Sequence, residues 1–167
     1  METFSVTLQQ LVHPGDLLFY RVRAQSPFMY KLIALAEHLR NANPSQKHYA
    51  HVAIVGGETL TKIEATWPRV TESVIDWTRP DLELWRIKGI TPEQTVKFLQ
   101  FARKKIGERY DIGMFCLGVF DFKHAEICTT LVKKAACHAK IPLAITTGDF
   151  LTPDELVNDL LLYKIWA

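Results

Sequence analysis

Three residues of this chain are of types that together do nucleophilic chemistry: Cys128, His51 and Glu64. They stand in the segments His51-Val-Ala-Ile-Val-Gly-Gly, Lys62-Ile-Glu64-Ala and Glu126-Ile-Cys128-Thr-Thr-Leu-Val. A thiol attacks only as the thiolate, so it needs something that favours its charged form. A helix N-terminus does this, and so does a neighbouring imidazole. A carboxylate can then hold the imidazole in one orientation.

Positioning these groups requires a hairpin and a helix. Tyr49 to Val55 alternates with β-branched and aromatic members, the pattern of a half-buried strand. Gly56-Gly57-Glu58-Thr59 reads as a tight turn, and Thr59 to Thr66 resumes the strand pattern. A two-residue loop at Gly57-Glu58 uses the positive φ that glycine tolerates. It pairs Gly56 with Thr59 and Ile54 with Thr61, and so sets His51 directly opposite Glu64. A loop at Gly56-Gly57 would bring Lys62 opposite His51 instead, so the pairing depends on register.

The nucleophile's helix is read over Cys128 to Ala139. Leu131, Val132, Ala135, Ala136 and Ala139 fall on one stripe, the spacing of a buried face. Glu126, Thr129 and Thr130 are types that serve a helix start. Lys133, Lys134 and Lys140 suit the opposite end of the dipole. Cys128 then lies in the first turn, where free backbone N–H groups can also hold an oxyanion.

With these segments in order, the chain resembles the circularly permuted papain-fold proteins of the NlpC superfamily, the YiiX/YebB-like branch. There the order is His, acidic residue, then Cys. Pro14-Gly15-Asp16-Leu-Leu-Phe19 resembles the family's opening strand, and Trp85-Arg86-Ile87 a later one. Gly107-Glu-Arg-Tyr110-Asp111 resembles the segment before the nucleophile, and Thr152-Pro153-Asp154-Glu155-Leu156 the closing helix. Thr129 stands where the family commonly has Ser.

The resemblance implies a permuted papain-like α+β fold, with an antiparallel sheet or small barrel packed against helices that include the Cys-bearing one. It implies a cysteine-dependent hydrolase of amide bonds, a peptidase or amidase that could take peptidoglycan stem peptides. Cys128, His51 and Glu64 would be the catalytic triad. Tyr110 would approach the oxyanion or substrate, against the alternative of a half-buried core tyrosine. Lipid acyl hydrolysis or acyl transfer is the second implied activity, since lecithin:retinol acyltransferase-like proteins share the permuted order. A non-catalytic binding or structural module is the third reading. The triad chemistry calls for no cofactor.

Composition narrows the classes. A length of 167 residues suggests a single domain, residues 1–167, with room for a core. Hydrophobic residues make up 48% and charged ones 23%, ordinary globular usage. A net charge of +2 offers no electrostatic case for nucleic acid. No run reaches the roughly 18 apolar residues of a membrane span. The opening Met-Glu-Thr-Phe-Ser-Val lacks a secretory pattern, and three cysteines suggest no disulfide framework. The expected location is the cytoplasm, with release by lysis or carriage in a particle also compatible.

The remaining elements follow the same logic. Strands are predicted over Asp16–Val22, Val70–Asp76 and Glu83–Lys88, and a helix over Pro27–Arg40, with a polar loop from Asn41 to Lys47. Thr91-Pro92-Glu93-Gln94 is a capping box that opens a helix running to about Ile106 and stopping at Gly107. Thr152-Pro153-Asp154-Glu155 repeats that signal. Strands clustered between helical ends indicate α+β.

Competing readings exist for each site residue. Cys128 could be a buried structural thiol, and Glu64 a surface partner of Lys62. His48 and His124 rival His51 as the base. Cys116 and Cys137 read as packing residues, as do His13, His38 and His138 or else as surface ones, and Asp16 as a turn or strand-edge residue. The Cys and His spacings match no common zinc pattern, so no metal is expected. Phe28, Met29 and Tyr30 could line a substrate groove walled by the Pro27–Arg40 helix and the Asn41–Lys47 loop, or belong to the core.

Overall fold

The computed structural model describes residues 10–23, 49–57, 60–110, 125–143 and 152–166. In chain order they form β1 (Leu17–Arg21), β2 (Tyr49–Val55), β3 (Thr61–Thr66), β4 (Arg69–Val74), β5 (Leu82–Ile87), α1 (Pro92–Lys104), β6 (Arg109–Tyr110), β7 (Ala125–Glu126), α2 (Cys128–His138), α3 (Pro153–Val157) and β8 (Leu162–Trp166). The strands make one eight-stranded sheet in the order β7-β6-β4-β3-β2-β1-β5-β8. Every neighbouring pair is antiparallel except β6 and β7, which run parallel. The end strands β7 and β8 do not pair with each other, so of the two sheet forms expected the open one is present.

Strand alternation sorts the side chains into two cores. Leu17, Phe19, Val52, Ile54, Ile63 and Ala65 face the helices. There they meet Phe98, Leu99 and Ala102 of α1 and Leu131, Val132, Ala135 and Ala136 of α2. Leu18, Tyr20, Ala53, Val55, Leu82 and Leu84 form the core of the other face, with Trp77 and Trp166 packed against it. Phe98 is fully buried, and truncating such a residue to Ala costs ~3–5 kcal/mol.

Both capping boxes read from the sequence form. Thr91 N–H donates to Gln94 Oε1 at 3.0 Å and Gln94 N–H to Thr91 Oγ1 at 3.2 Å. Thr152 and Glu155 repeat the exchange at 2.7 and 3.2 Å. The second helix is short, however, and the chain then enters β8, a strand the sequence does not announce. Two of its five residues are exposed and two half-buried, which blurs the alternation. Strands β6 and β7 have two residues each, too few to show a period.

The β2–β3 connection differs from the expected two-residue loop. It takes four residues, 57–60, and Gly56 N–H donates to Thr61 O at 2.8 Å. The observed pairs are Ile54↔Ile63 and Val55↔Lys62. Gly56 is needed here because a Cβ on it would stand 2.4 Å from Thr61 Oγ1. It therefore closes the ladder and takes no part in a tight turn. Among the described residues no helix is long and apolar enough to cross a membrane. The predicted Pro27–Arg40 helix and Asn41–Lys47 loop lie outside the described residues.

Candidate active site

Strand β2 runs between β1 and β3, and this fixes the surroundings of His51. Tyr20 is its partner on β1, with ring centroids 5.4 Å apart. On β3, the observed register extended along the strand sets Ala53 opposite Glu64. His51 is then the diagonal neighbour of Glu64 and not its direct partner. Diagonal Cβ atoms lie ~7–8 Å apart, a span that two long side chains close. His51 Nε2 stands 2.9 Å from Glu64 Oε2. The register expected from the sequence is thus wrong by two residues. Because two is the period of a strand, both side chains remain on one face.

Glu64 is held at both oxygens. Oε2 meets His51, and Oε1 lies 2.6 Å from Lys62 Nζ. Lys62 also sits over the Tyr20 ring at 5.1 Å, with the Arg79 guanidinium at 4.8 Å from the same ring. Glu64 is 8% exposed and His51 2%. The reading of Glu64 as a solvent-facing residue does not hold, while its pairing with Lys62 does, in addition to the contact with His51.

Cys128 reaches His51 where the β2–β3 ladder stops. That ladder has only its two pairs although both strands continue. Helix α2 packs against both strands. Cys128 is its first residue, and its thiol hydrogen-bonds the imidazole. The helix's N-cap, Ile127, has no side-chain oxygen with which to cap the first turn. Its own N–H donates to Thr130 Oγ1 at 2.9 Å.

The electrostatics follow from this chain of contacts. Burial alone would push the imidazole down. The hydrogen bonds and charges of Cys128 and Glu64 outweigh it and raise His51 to about 9. Burial would raise Glu64, yet the hydrogen bond and charge of His51, aided by Lys62, lower it to about 2. At neutral pH the centre therefore carries an imidazolium between a carboxylate and the cysteine.

Tyr110 is half-buried against the helix-side core. Its strand places it opposite Glu126, two residues before Cys128, and its N–H donates to Pro68 O at 3.0 Å. Cys128 is buried and Cys137 exposed. The expectation that Cys137 packs is overturned: half a turn from Cys128, it falls on the solvent side of α2. His13 and His138 are at the surface, the latter against Phe101 at 5.3 Å. Asp16 closes the turn before β1, buried and bound by both Nε and Nη2 of Arg86. His38, His48, Cys116, His124, Phe28, Met29 and Tyr30 lie outside the described residues. Sequence reasoning missed Tyr20, which meets His51 through a pairing between strands about thirty residues apart.

The sequence matches no protein-family model. A comparison with curated proteins likewise finds no match. A similar solved structure is titled "Crystal structure of metalloprotein yiiX from Escherichia coli O157:H7, DUF1105". It has 15% sequence identity and a TM-score of 0.61, covering 92% of this chain and 96% of that one. In this chain, among the described residues, no three His, Cys, Asp or Glu side chains are grouped to hold a metal ion. Glu64 and Cys128 each act on the His51 imidazole. At this identity the likeness establishes a shared fold, a mixed α and β architecture in which an open sheet carries the helices.

Proposed function

We propose that the chain is a cysteine-dependent acyl hydrolase of permuted papain-like fold, acting on an amide bond. The observation that carries this reading is the His51 imidazole held between Glu64 at 2.9 Å and the Cys128 thiol. Three ionisable groups in series, the thiol at the first turn of a helix, have the arrangement of an acyl-transfer triad. The order His51, Glu64, Cys128 along the chain supports the same reading.

The mechanism follows from the charge states. With His51 raised to about 9, it starts the cycle as an acid. Cys128 starts the cycle as the thiolate paired with the imidazolium; its sulfur attacks the carbonyl carbon, and the oxyanion is met by the Cys128 backbone N–H, with Tyr110 the candidate second donor. The C–N bond breaks as His51 gives its proton to the leaving amine. The now neutral imidazole takes a proton from water, whose oxygen attacks the thioester. The C–S bond breaks and the free acid leaves. Glu64 holds the ring orientation throughout. No step calls for a cofactor.

Peptide amides, including stem-peptide bonds, are the proposed substrates, and lipid amides or esters use the same steps. Trapping decides between them. The protein is incubated with a panel of peptide amides and of fatty acyl amides and esters, quenched in acid and digested. A substrate-derived acyl mass on the Cys128 peptide, absent in Cys128→Ala, is the expected result. No adduct across the panel, or an adduct on Cys137, overturns the proposal. One observation favours a non-catalytic module instead: Cys128 is only 4% exposed. Failure of a small alkylating reagent to reach it in the folded protein would support that second reading.

A further inference from the structure

A cleft of about 700 Å³ lies apart from the thiol centre. One face of α1 forms a wall, with Thr95, Val96, Leu99, Gln100 and Arg103 at helical spacing. The turn entering β1 and the segment leaving β5 form the other wall, with Gly57 and Tyr163 at its edge. His51, Glu64 and Cys128 do not line it. Gly15 N–H bonds Val55 O, four residues along β2 from His51, which is ~13 Å at strand rise. The volume falls in the range of small-molecule sites.

Its charges are unequal. Asp16, the acid among the described lining residues, is neutralised: Arg86 donates to it at 2.7 and 2.8 Å, and the His13 N–H at 2.7 Å. Arg86 is further bonded to Tyr163. Arg103, by contrast, has no carboxylate partner among the described residues. Its guanidinium rests on Gly57, where a Cβ would stand 2.8 Å from Nη2 and 3.5 Å from Cζ. A glycine at 57 is what lets the cation lie against the cleft edge. The lining also carries the apolar side chains of Ile87, Ile90, Val96 and Leu99, beside Thr95 and Gln100. Ile87 and Leu99 are buried, Ile90 is half-buried, and Val96 is exposed.

We infer that this cleft binds a small amphipathic anion, its carboxylate or phosphate at Arg103 and its apolar body over Ile87, Ile90, Val96 and Leu99. Among the described lining residues a cation finds no unpaired acid. A bare anion leaves the apolar floor uncovered, and burying that floor contributes ~25 cal/mol per Å². The inference is independent of the thiol chemistry, and its test uses no turnover.

The test titrates the full chain with decanoate, decyl phosphate, decanol and inorganic phosphate, following methyl NMR shifts. Decanoate or decyl phosphate should bind saturably and move the Ile90, Val96 and Leu99 methyls; the stronger of the two identifies the headgroup. Arg103→Gln should weaken binding at least about tenfold, the worth of a charge-assisted hydrogen bond. Gly57→Ala, which displaces the guanidinium, should weaken it in the same direction. Decanol binding as tightly as decanoate, phosphate binding as tightly as decyl phosphate, or shifts mapping to another surface would overturn the inference. So would wild-type affinity in both variants, and so would the absence of binding by any of the four.

Discussion

His51 Nε2 and Glu64 Oε2 stand 2.9 Å apart, although the two residues are diagonal in the sheet. The contact survives because the chain length between them is odd. Any even slip of the hairpin keeps both side chains on the same face. What changes with the slip is reach. Glu64 has the extra methylene that Asp lacks, and its second oxygen is anchored at 2.6 Å by Lys62. The carboxylate is thus fixed from two sides before the imidazole meets the thiol.

The first prediction concerns the thiols. Exposed Cys137 has no contact with His51, so its labelling should not depend on the imidazole. Cys128, beside the imidazolium, should already react with iodoacetamide at pH 6. His51→Gln should remove the pH 6 labelling of Cys128 and leave Cys137 unchanged. Residue-resolved mass spectrometry reads both sites. Equal rates at Cys128 in wild type and His51→Gln would dissolve the proposed pair.

A second prediction ranks His51 and the Glu64 that orients it. His51→Gln removes the proton donor and should cost ~10²–10⁴-fold in turnover, the usual worth of acid–base catalysis. Glu64→Gln keeps an acceptor for Nε2 and should cost less, with activity remaining. Glu64→Leu, which leaves the ring nitrogen unpaired, should approach His51→Gln. The trapped acyl-enzyme yield on a responsive substrate gives the comparison. A Glu64→Gln variant as inactive as His51→Gln would assign the carboxylate's charge, and not its geometry, as the essential contribution.

The sequence carried the elements bounded by strong local signals. Both helix starts announced by a Thr-Pro pair are where the capping box puts them, and β1 to β5 lie within two residues of the expected strands. The site pair was legible because face parity depends only on counting. Register was not, since it depends on Gly56 being required against Thr61 Oγ1, a contact made by the folded sheet. Strands β6 and β7 escaped because two residues carry no period, and β8 because its side chains are mostly half-buried or exposed. Tyr20 and the cations over its ring depend on β1 pairing with β2 across an intervening segment, and local pattern says nothing of that. Cys137 was misread because its type suggests burial, while its angle on α2 sets it outside.

Lys62 supplies a third prediction. It neutralises the oxygen of Glu64 that His51 does not use, and its charge helps keep that carboxylate ionised. Lys62→Met should raise the Glu64 pKa, so that acid destabilisation begins at a higher pH than in wild type. Lys62→Arg should restore the wild-type profile. Thermal unfolding between pH 2 and 6 provides the readout. Identical acid limbs in wild type and Lys62→Met would show that the ammonium has no hold on Glu64.

The last prediction is the pH window of the pair itself. His51 is raised from 6.5 to about 9 on folding. Its contribution to stability is complete below 6.5 and is lost as pH rises through 9, because the folded state then must give up the proton it holds more tightly. Glu64 is lowered from 4.5 to about 2. Its contribution is complete above 4.5 and is lost as pH falls through 2, where the folded state must protonate a carboxylate it holds ionised. The two conditions overlap between about 4.5 and 6.5, so the destabilisation caused by Glu64→Gln or His51→Gln should be largest near pH 5.5 and should shrink towards both limits. Difference melting temperatures against wild type, taken from pH 2 to 10, trace this window. The same imidazolium serves as the acid for the leaving amine, so acyl-enzyme formation should decline on the alkaline side as pH passes 9. A destabilisation that is flat with pH, or a stability loss centred near 6.5, would mean that the folded protein does not hold the His51 proton as this geometry requires.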